Sequence, residues 1–267
     1  MKTQIFALVV LVALLSACAP APAETEAAAV ENTPTASSTP APTDTPTATP
    51  TPTMDLQATQ QAEEAARKAE EAAFIADVVA PDLELAGVSA DEGELIYRMD
   101  SPMEISAPEA DTFYWEYLNN ADFALKNYVF TVDVSWDSTG FAGCNIVLRG
   151  ARDFDWDSQE MMMFRTLRLS GAPAWNMIII KNGRIQSTVA ESTNGAIEVE
   201  SGDVNHLVFV VKGPNALAYA NGYRLGLGTA KATMTEGHVY LTVISYTGSS
   251  SCTYSNGWVW ELPEEGN

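Results

Sequence analysis

Between residues 204 and 227 the chain spells out strand, turn, strand, turn, strand. The apolar run 207–211 ends at Gly213-Pro214-Asn215, a second run covers 216–219, and Asn221-Gly222 follows. Asn-Gly places two residues that tolerate positive φ side by side, which is what a tight I′ hairpin requires. Two hairpins in so short a stretch leave no room for a helix, so the core is predicted to be antiparallel β. The same period-two pattern recurs upstream. Tyr128, Phe130, Val132, Val134 and Trp136 alternate with Thr131, Asp133 and Ser135, while Cys144, Ile146 and Leu148 share one face and Asn145, Val147 and Arg149 the other. Further strands are predicted over 94–99, 103–107, 113–117, 160–169, 175–180, 184–189, 237–246 and 253–262, with Asn182-Gly183 as another tight turn. Strands at this spacing, with no helix-period segment between them, predict an all-β, antiparallel two-sheet jelly roll. Met161, Met162 and Met163 run consecutively, as in a central strand buried on both faces.

Residues 1–18 have a different character. Lys2 precedes an unbroken apolar run over 5–15, the length of a signal-peptide core and too short for an ordinary membrane span. Leu15-Ser16-Ala17-Cys18 then resembles the lipobox of bacterial lipoproteins. That resemblance implies that Cys18 is acylated, palmitate-type chains included, and becomes the first residue after cleavage. The protein is therefore expected to be extracytoplasmic, lipid-anchored to the membrane at the cell surface. Residues 19–53 are almost wholly Ala, Pro, Thr, Ser and Glu, a composition that cannot repay the entropy of ordering, so a disordered linker is expected.

Residues 54–79 are Ala-rich and free of Gly and Pro, with Glu63/Arg67 and Glu64/Lys68 spaced i, i+4. They predict a helical stalk that Pro81 stops. Ala58, Ala62, Ala65, Ala69, Ala72 and Ala76 form one stripe at coiled-coil spacing. Alanine buries little surface, so a monomer is expected, with a coiled-coil dimer as the alternative. Residues 80–267 form the β domain. The net charge of −21 repels phosphate backbones and excludes nucleic acid as a partner. With Cys18 assigned to lipid, Cys144 and Cys252 are an even pair in an exported chain and read as a disulfide; two buried free thiols are the alternative.

Three stretches resemble the concanavalin A-like (laminin G-like) lectin and glucanase jelly rolls of bacterial surface lipoproteins, including the 3-keto-disaccharide hydrolase domain. They are the 128–136 strand with Ile146-Val147-Leu148-Arg149; Asn205 to Gly213 with Ala220-Asn221-Gly222; and Gly237-His238-Val239-Tyr240-Leu241 with Trp258-Val259-Trp260-Glu261-Leu262. The resemblance implies a glycan-related role. Glucanases of that fold carry carboxylates two residues apart in a three-acid motif; Glu109-Ala110-Asp111 and Glu198-Val199-Glu200 lack the third acid. His206 and His238 sit in strands without an evident acid partner. Asp133, Asn145 and Arg149, with Trp175 to stack on a pyranose ring, are the candidate carbohydrate-binding residues. An Asp133–Arg149 ion pair and a core Trp175 are the alternatives. Asp153, Asp155 and Asp157 alternate as hard-cation ligands do and are the candidate calcium site, although the loop departs from an EF-hand at Ser158 and Phe164. The leading expectation is an anchored carbohydrate-binding protein without catalytic residues or cofactor; a keto-disaccharide-type hydrolase and a protein-binding adhesin are the alternatives.

Overall fold

The computed structural model describes residues 56–264, apart from 119–123, 139, 154, 158, 170, 171, 194 and 199. Cys18, the signal segment and the linker lie outside the described residues. Thirteen strands follow a helical segment: β1 (Glu94–Arg98), β2 (Met103–Ala107), β3 (Thr112–Tyr117), β4 (Tyr128–Ser138), β5 (Ala142–Gly150), β6 (Glu160–Leu169), β7 (Ala172–Lys181), β8 (Arg184–Ser192), β9 (Val204–Lys212), β10 (Asn215–Ala220), β11 (Tyr223–Thr229), β12 (His238–Ser245) and β13 (Ser250–Glu261). One sheet runs β1-β13-β4-β9-β10-β11 with β2 also on β13; the other runs β3-β12-β5-β6-β7-β8. Every pairing is antiparallel. The result is a two-sheet jelly roll.

Alternation decides what faces inward. Phe130, Val132 and Val134 on β4, with Leu207, Phe209 and Val211 on β9, meet Cys144, Ile146 and Leu148 on β5 and Trp175, Met177 and Ile179 on β7. Phe209 stands edge-on to Phe164 of the opposite sheet, 5.0 Å between centroids. The Cys144–Cys252 disulfide joins β5 to β13, so it ties one sheet to the other. Two buried tyrosines make the same crossing: Tyr254 donates to the carbonyls of Thr242 (2.6 Å) and Asn145 (3.1 Å), and Tyr128 donates to that of Leu148. The hairpin turns follow the Asn-Gly rule, since Asn182 and Gly183 take φ of 50° and 67° and Asn221 and Gly222 take 50° and 80°.

The helical segment departs from expectation. Helix α1 (Leu56–Phe74) passes into a π turn over Ile75–Val79 and continues as α2 (Ala80–Ala86), so Pro81 does not stop it. A π turn bonds i to i+5, as Ala80 N–H does to the Ile75 carbonyl, and Pro81 then occupies the first turn of α2, where its missing N–H costs nothing. The stop comes at Gly87, at φ 69°, where Val88 N–H bonds the Leu83 carbonyl and Gly87 N–H that of Glu84. This is a Schellman ending, with Leu83 and Val88 both buried beside it. Helix α1 buries no residue and is laced by Lys68–Glu64 (2.7 Å) and Arg67–Glu71 (3.6 Å); Arg67 thus reaches forward to Glu71 instead of back to Glu63. Helix α2 lies on the outer face of the seven-stranded sheet. There Val79, Leu83 and Val88 cover Val129, Val208, Val210, Trp258 and Trp260. No helix among the described residues is long and apolar enough to cross a membrane.

The disulfide closes 108 residues, for which chain entropy assigns roughly 4.7 kcal/mol. At about 2–4 °C per kcal/mol for a domain of this size, reduction is expected to lower the melting temperature by on the order of 10 °C. The reduced protein should gain the mass of two hydrogens. Unchanged mass or an unmoved melting curve would contradict the bridge.

Candidate functional site

The four residues proposed from sequence do not share a surface. Trp175 points inward, 2% exposed, with its ring stacked 6.0 Å from Phe164; it belongs to the core and cannot lie under a sugar. Arg149 is buried and spends its guanidinium on three carbonyls, those of Leu125, Lys126 and Gly213, with the Tyr128 ring 5.4 Å away. It does not pair with Asp133. Asp133 lies on β4, on the outer face of the other sheet, and belongs to a clasp described below. Only Asn145 lies on an outer face of the six-stranded sheet, its side chain fully buried and its Nδ2 donating to Thr242 Oγ1 at 3.1 Å.

The metal expectation is also corrected. Among the described residues no three His, Cys, Asp or Glu side chains are grouped so as to hold a metal ion, Asp153, Asp155 and Asp157 included. The loop spends its polar groups on itself. Asp155 Oδ1 accepts from Asp157 N–H at 3.0 Å, and Gln159 donates to the Asp153 carbonyl. What the loop does instead is cover the sheet. Tyr117 donates to the Arg152 carbonyl and Tyr240 to that of Ala151, while Trp156 packs 4.5 Å from Phe113. Beneath them Val147, Met161, Met163, Ile178, Ile180 and Tyr240 make a second apolar cluster on the outer face. The three-methionine run is therefore packing, buried from both sides.

Beside this roof the outer face turns polar. Register aligns Trp115, Thr242, Asn145, Arg165, Asn176 and Glu191 in one row across all six strands. Arg165 is at its centre, partly buried, donating from Nε to Asn176 Oδ1 (2.8 Å) and from Nη1 to the Tyr246 hydroxyl (3.1 Å). Tyr246 stacks on Phe141 at 4.4 Å, and Trp115 stands partly exposed at the other side, edge-on to Tyr117 and Tyr240. A side chain at Gly143 would break the row, since its Cβ would lie 2.6 Å from the Thr166 carbonyl and 2.9 Å from Asn145 Oδ1. Burial pushes the Arg165 guanidinium below its ordinary value. Sequence reasoning missed Arg165, Asn176, Thr242, Tyr246 and Trp115. The available signal was Arg165 as the one charge between Met161 and Leu167, an apolar strand that has no reason to hold it unless that face is used.

His206 has two acid partners, contrary to the sequence expectation. Its Nδ1 lies 2.6 Å from Asp133 Oδ1 and its Nε2 3.0 Å from Asp82 Oδ1, so an imidazolium bridges the sheet to α2. Asn256 Nδ2 donates to Asp133 Oδ2 at 2.8 Å. Hydrogen bonds to Asp133 and then Asp82 raise His206 to about 10, against burial. For Asp133 burial acts upward, but the bonds from His206 and Asn256 hold it below its usual range. The clasp is a structural joint between the sheet and α2.

No family model matches the chain, and no curated protein sequence matches it. Distant likenesses occur among solved structures. A carbohydrate binding module, CBM66 from Bacillus subtilis, aligns at 12% identity and TM-score 0.44 over 57% of this chain and 84% of its own. A protein of unknown function with a galectin-like fold from Bacillus subtilis aligns at 9% identity and TM-score 0.47, over 65% and 99%. A prokaryotic β-1,3-1,4-glucanase (lichenase) derived from a mouse hindgut metagenome aligns at 8% identity and TM-score 0.41, over 62% and 82%. The jelly-roll arrangement itself stands on the strand pairing of this chain.

The clasp has a pH signature. A histidine raised on folding contributes fully below its ordinary 6.5 and loses that contribution as pH climbs towards about 10. A depressed Asp133 contributes above its ordinary 3.8 and loses that contribution in acid. Stability is therefore expected to fall from pH 6.5 to 10, and His206→Gln is expected to flatten that slope and speed amide exchange at Leu83 and Val88. Equal slopes in the two proteins would count against the clasp.

Proposed function

We propose that the jelly roll binds carbohydrate on the outer face of its six-stranded sheet, and that the chain presents this domain outside the cell on a lipid anchor. The observation that carries the first part is the polar row. Sugars offer hydroxyls for planar donors and acceptors and a C–H face for aromatic rings; the row holds Trp115, Arg165 and Asn176 partly exposed, with Thr242 and Asn145 buried between them, and Arg165 reaches the hydroxyl of Tyr246, whose ring stacks on Phe141. These groups stand on paired strands instead of loops, so little ordering entropy opposes binding. Of the row's members only Glu191 is a carboxylate, whereas two-carboxylate hydrolysis needs a facing pair. That favours binding over a keto-disaccharide-type hydrolysis.

The anchor reading rests on the Leu15-Ser16-Ala17-Cys18 motif and its apolar run. Multiple acyl chains at Cys18, at ~0.8 kcal/mol per buried CH₂, hold a protein on a membrane. The Thr/Pro linker and the single helix α1 then act as tether and stalk for a monomeric domain held clear of the surface.

A glycan array followed by calorimetric titration of residues 54–267 tests the binding. Trp115→Ala is expected to weaken the selected glycan about tenfold, the upper range for one aromatic contact, and, because the ring also packs against Tyr117 and Tyr240, to lower the melting temperature while the domain stays folded. A blank array, or a variant that binds normally, would refute the reading. For the anchor, Cys18→Ser is expected to release the protein or leave an uncleaved precursor; continued acyl labelling of that variant would refute it.

A further inference from the structure

Resting on the carbohydrate-binding reading, we infer that the ligand is an acidic sugar whose carboxylate is held by Arg165. Three observations lead there. First, Arg165 is partly buried at the middle of the row, and among the described residues no carboxylate lies within ion-pair distance of it. A desolvated guanidinium with no counter-ion is a standing cost, and an anionic ligand removes it. Secondly, the guanidinium is already oriented. Nε is fixed by Asn176 and Nη1 by the Tyr246 hydroxyl, which uses two of its five N–H donors and leaves three, including both on Nη2. A planar donor edge matches a planar carboxylate bidentately, which a hydroxyl cannot exploit. Thirdly, the surroundings are neutral on both sides: Thr242 and Asn145 follow in one direction and Asn176 in the other, with Glu191 at the far edge of the sheet.

The chain's net charge of −21 opposes any polyanion at long range. Screening confines that repulsion to about 8 Å at physiological salt, whereas the Arg165 contact is direct. A short uronic-acid oligosaccharide that lays one carboxylate on the row satisfies both conditions, and a nucleic acid or other densely charged polymer does not.

The test compares sugars that differ only in charge. Tetramers of galacturonate, glucuronate and mannuronate are titrated by calorimetry into the wild-type domain, each beside its neutral methyl ester. At least one acid is expected to bind about tenfold or more tightly than its ester, the scale of a charge-assisted bidentate contact. Arg165→Gln is expected to weaken the acid much more than the ester, so that the ratio of the two affinities falls to about one; Arg165→Lys, which keeps charge but loses the fork, is expected to give a ratio in between. Melting curves confirm that the variants fold, and the wild-type comparison of acid with ester needs no variant. Equal affinity for acid and ester, or a preference that survives Arg165→Gln, would overturn the inference and leave the binding face standing as long as Trp115→Ala weakens the binding. If sulfated tetramers alone are held and no uronate is, the carboxylate assignment is overturned. If neither acids nor neutral sugars bind, the inference and the carbohydrate reading fall together.

Discussion

Strand β5 has no exposed residue, and the arrangement of the rest follows from that. A strand buried on both faces needs one sheet packed on its inner side and something other than water on its outer side. The inner side is met by Cys144, Ile146 and Leu148 in the core, and Cys144 is covalently tied to β13 across it. The crossing tyrosines, Tyr128 and Tyr254, hydrogen-bond backbone carbonyls of the opposite sheet, so the spacing of the sheets is fixed by covalent and polar contacts as well as apolar ones. Burial pushes both phenols up, as expected where hydroxyls give up water for a carbonyl. The outer face of β5 inherits this rigidity. A polar row built on it has little freedom to lose when a ligand arrives.

The two outer faces are covered in different ways, and the difference directs attention to one of them. On the seven-stranded sheet, α2 lies over Val129, Val208, Val210, Trp258 and Trp260, and the Asp82–His206–Asp133 clasp closes its edge. That face is accounted for by the chain itself. On the six-stranded sheet Trp156 packs over the apolar part, while in the polar row Thr242 and Asn145 are buried, Trp115, Arg165 and Asn176 are partly exposed and Glu191 is exposed.

The fold was legible in the sequence because it rests on local signals. Alternation from Tyr128 to Trp136 gave β4 within two residues of its end at Ser138, and two Asn-Gly pairs, Asn182-Gly183 and Asn221-Gly222, were read as tight turns from sterics alone. Cysteine counting found a bridge whose partners are far apart in sequence. Pro81 misled, because the rule against helical proline assumes i to i+4 bonding and the π turn before it does not. The site was mostly illegible for a different reason. Which residues neighbour one another on a face depends on strand order, and nothing local says that β6 lies between β5 and β7 while β12 lies on β5's other side. Alternation correctly put Asn145 outward, yet it could not tell that Trp175, one residue before Asn176, faces the core. A one-residue offset exchanges the two faces.

Two guanidiniums in this acidic chain are buried enough for burial to lower them, and their partners separate a structural role from a binding one. Several other cations meet carboxylates: Lys126 meets Glu264, Lys181 and Lys231 share Glu160, and Arg98 meets Glu70. Arg149 dispenses with a carboxylate by donating to three carbonyls, which fastens the segment before β4 and the β9–β10 turn to the end of β5. Removing it would leave those carbonyls exposed to a dry interior. Arg165 has an amide oxygen and a phenol as partners, neither of them charged. A chain with 35 acidic residues has many ways to place one opposite Arg165 and has placed none there among the described residues. Placing one would stabilise the empty domain and close the row to an anionic ligand; leaving the charge unmatched keeps its attraction for the moment of binding.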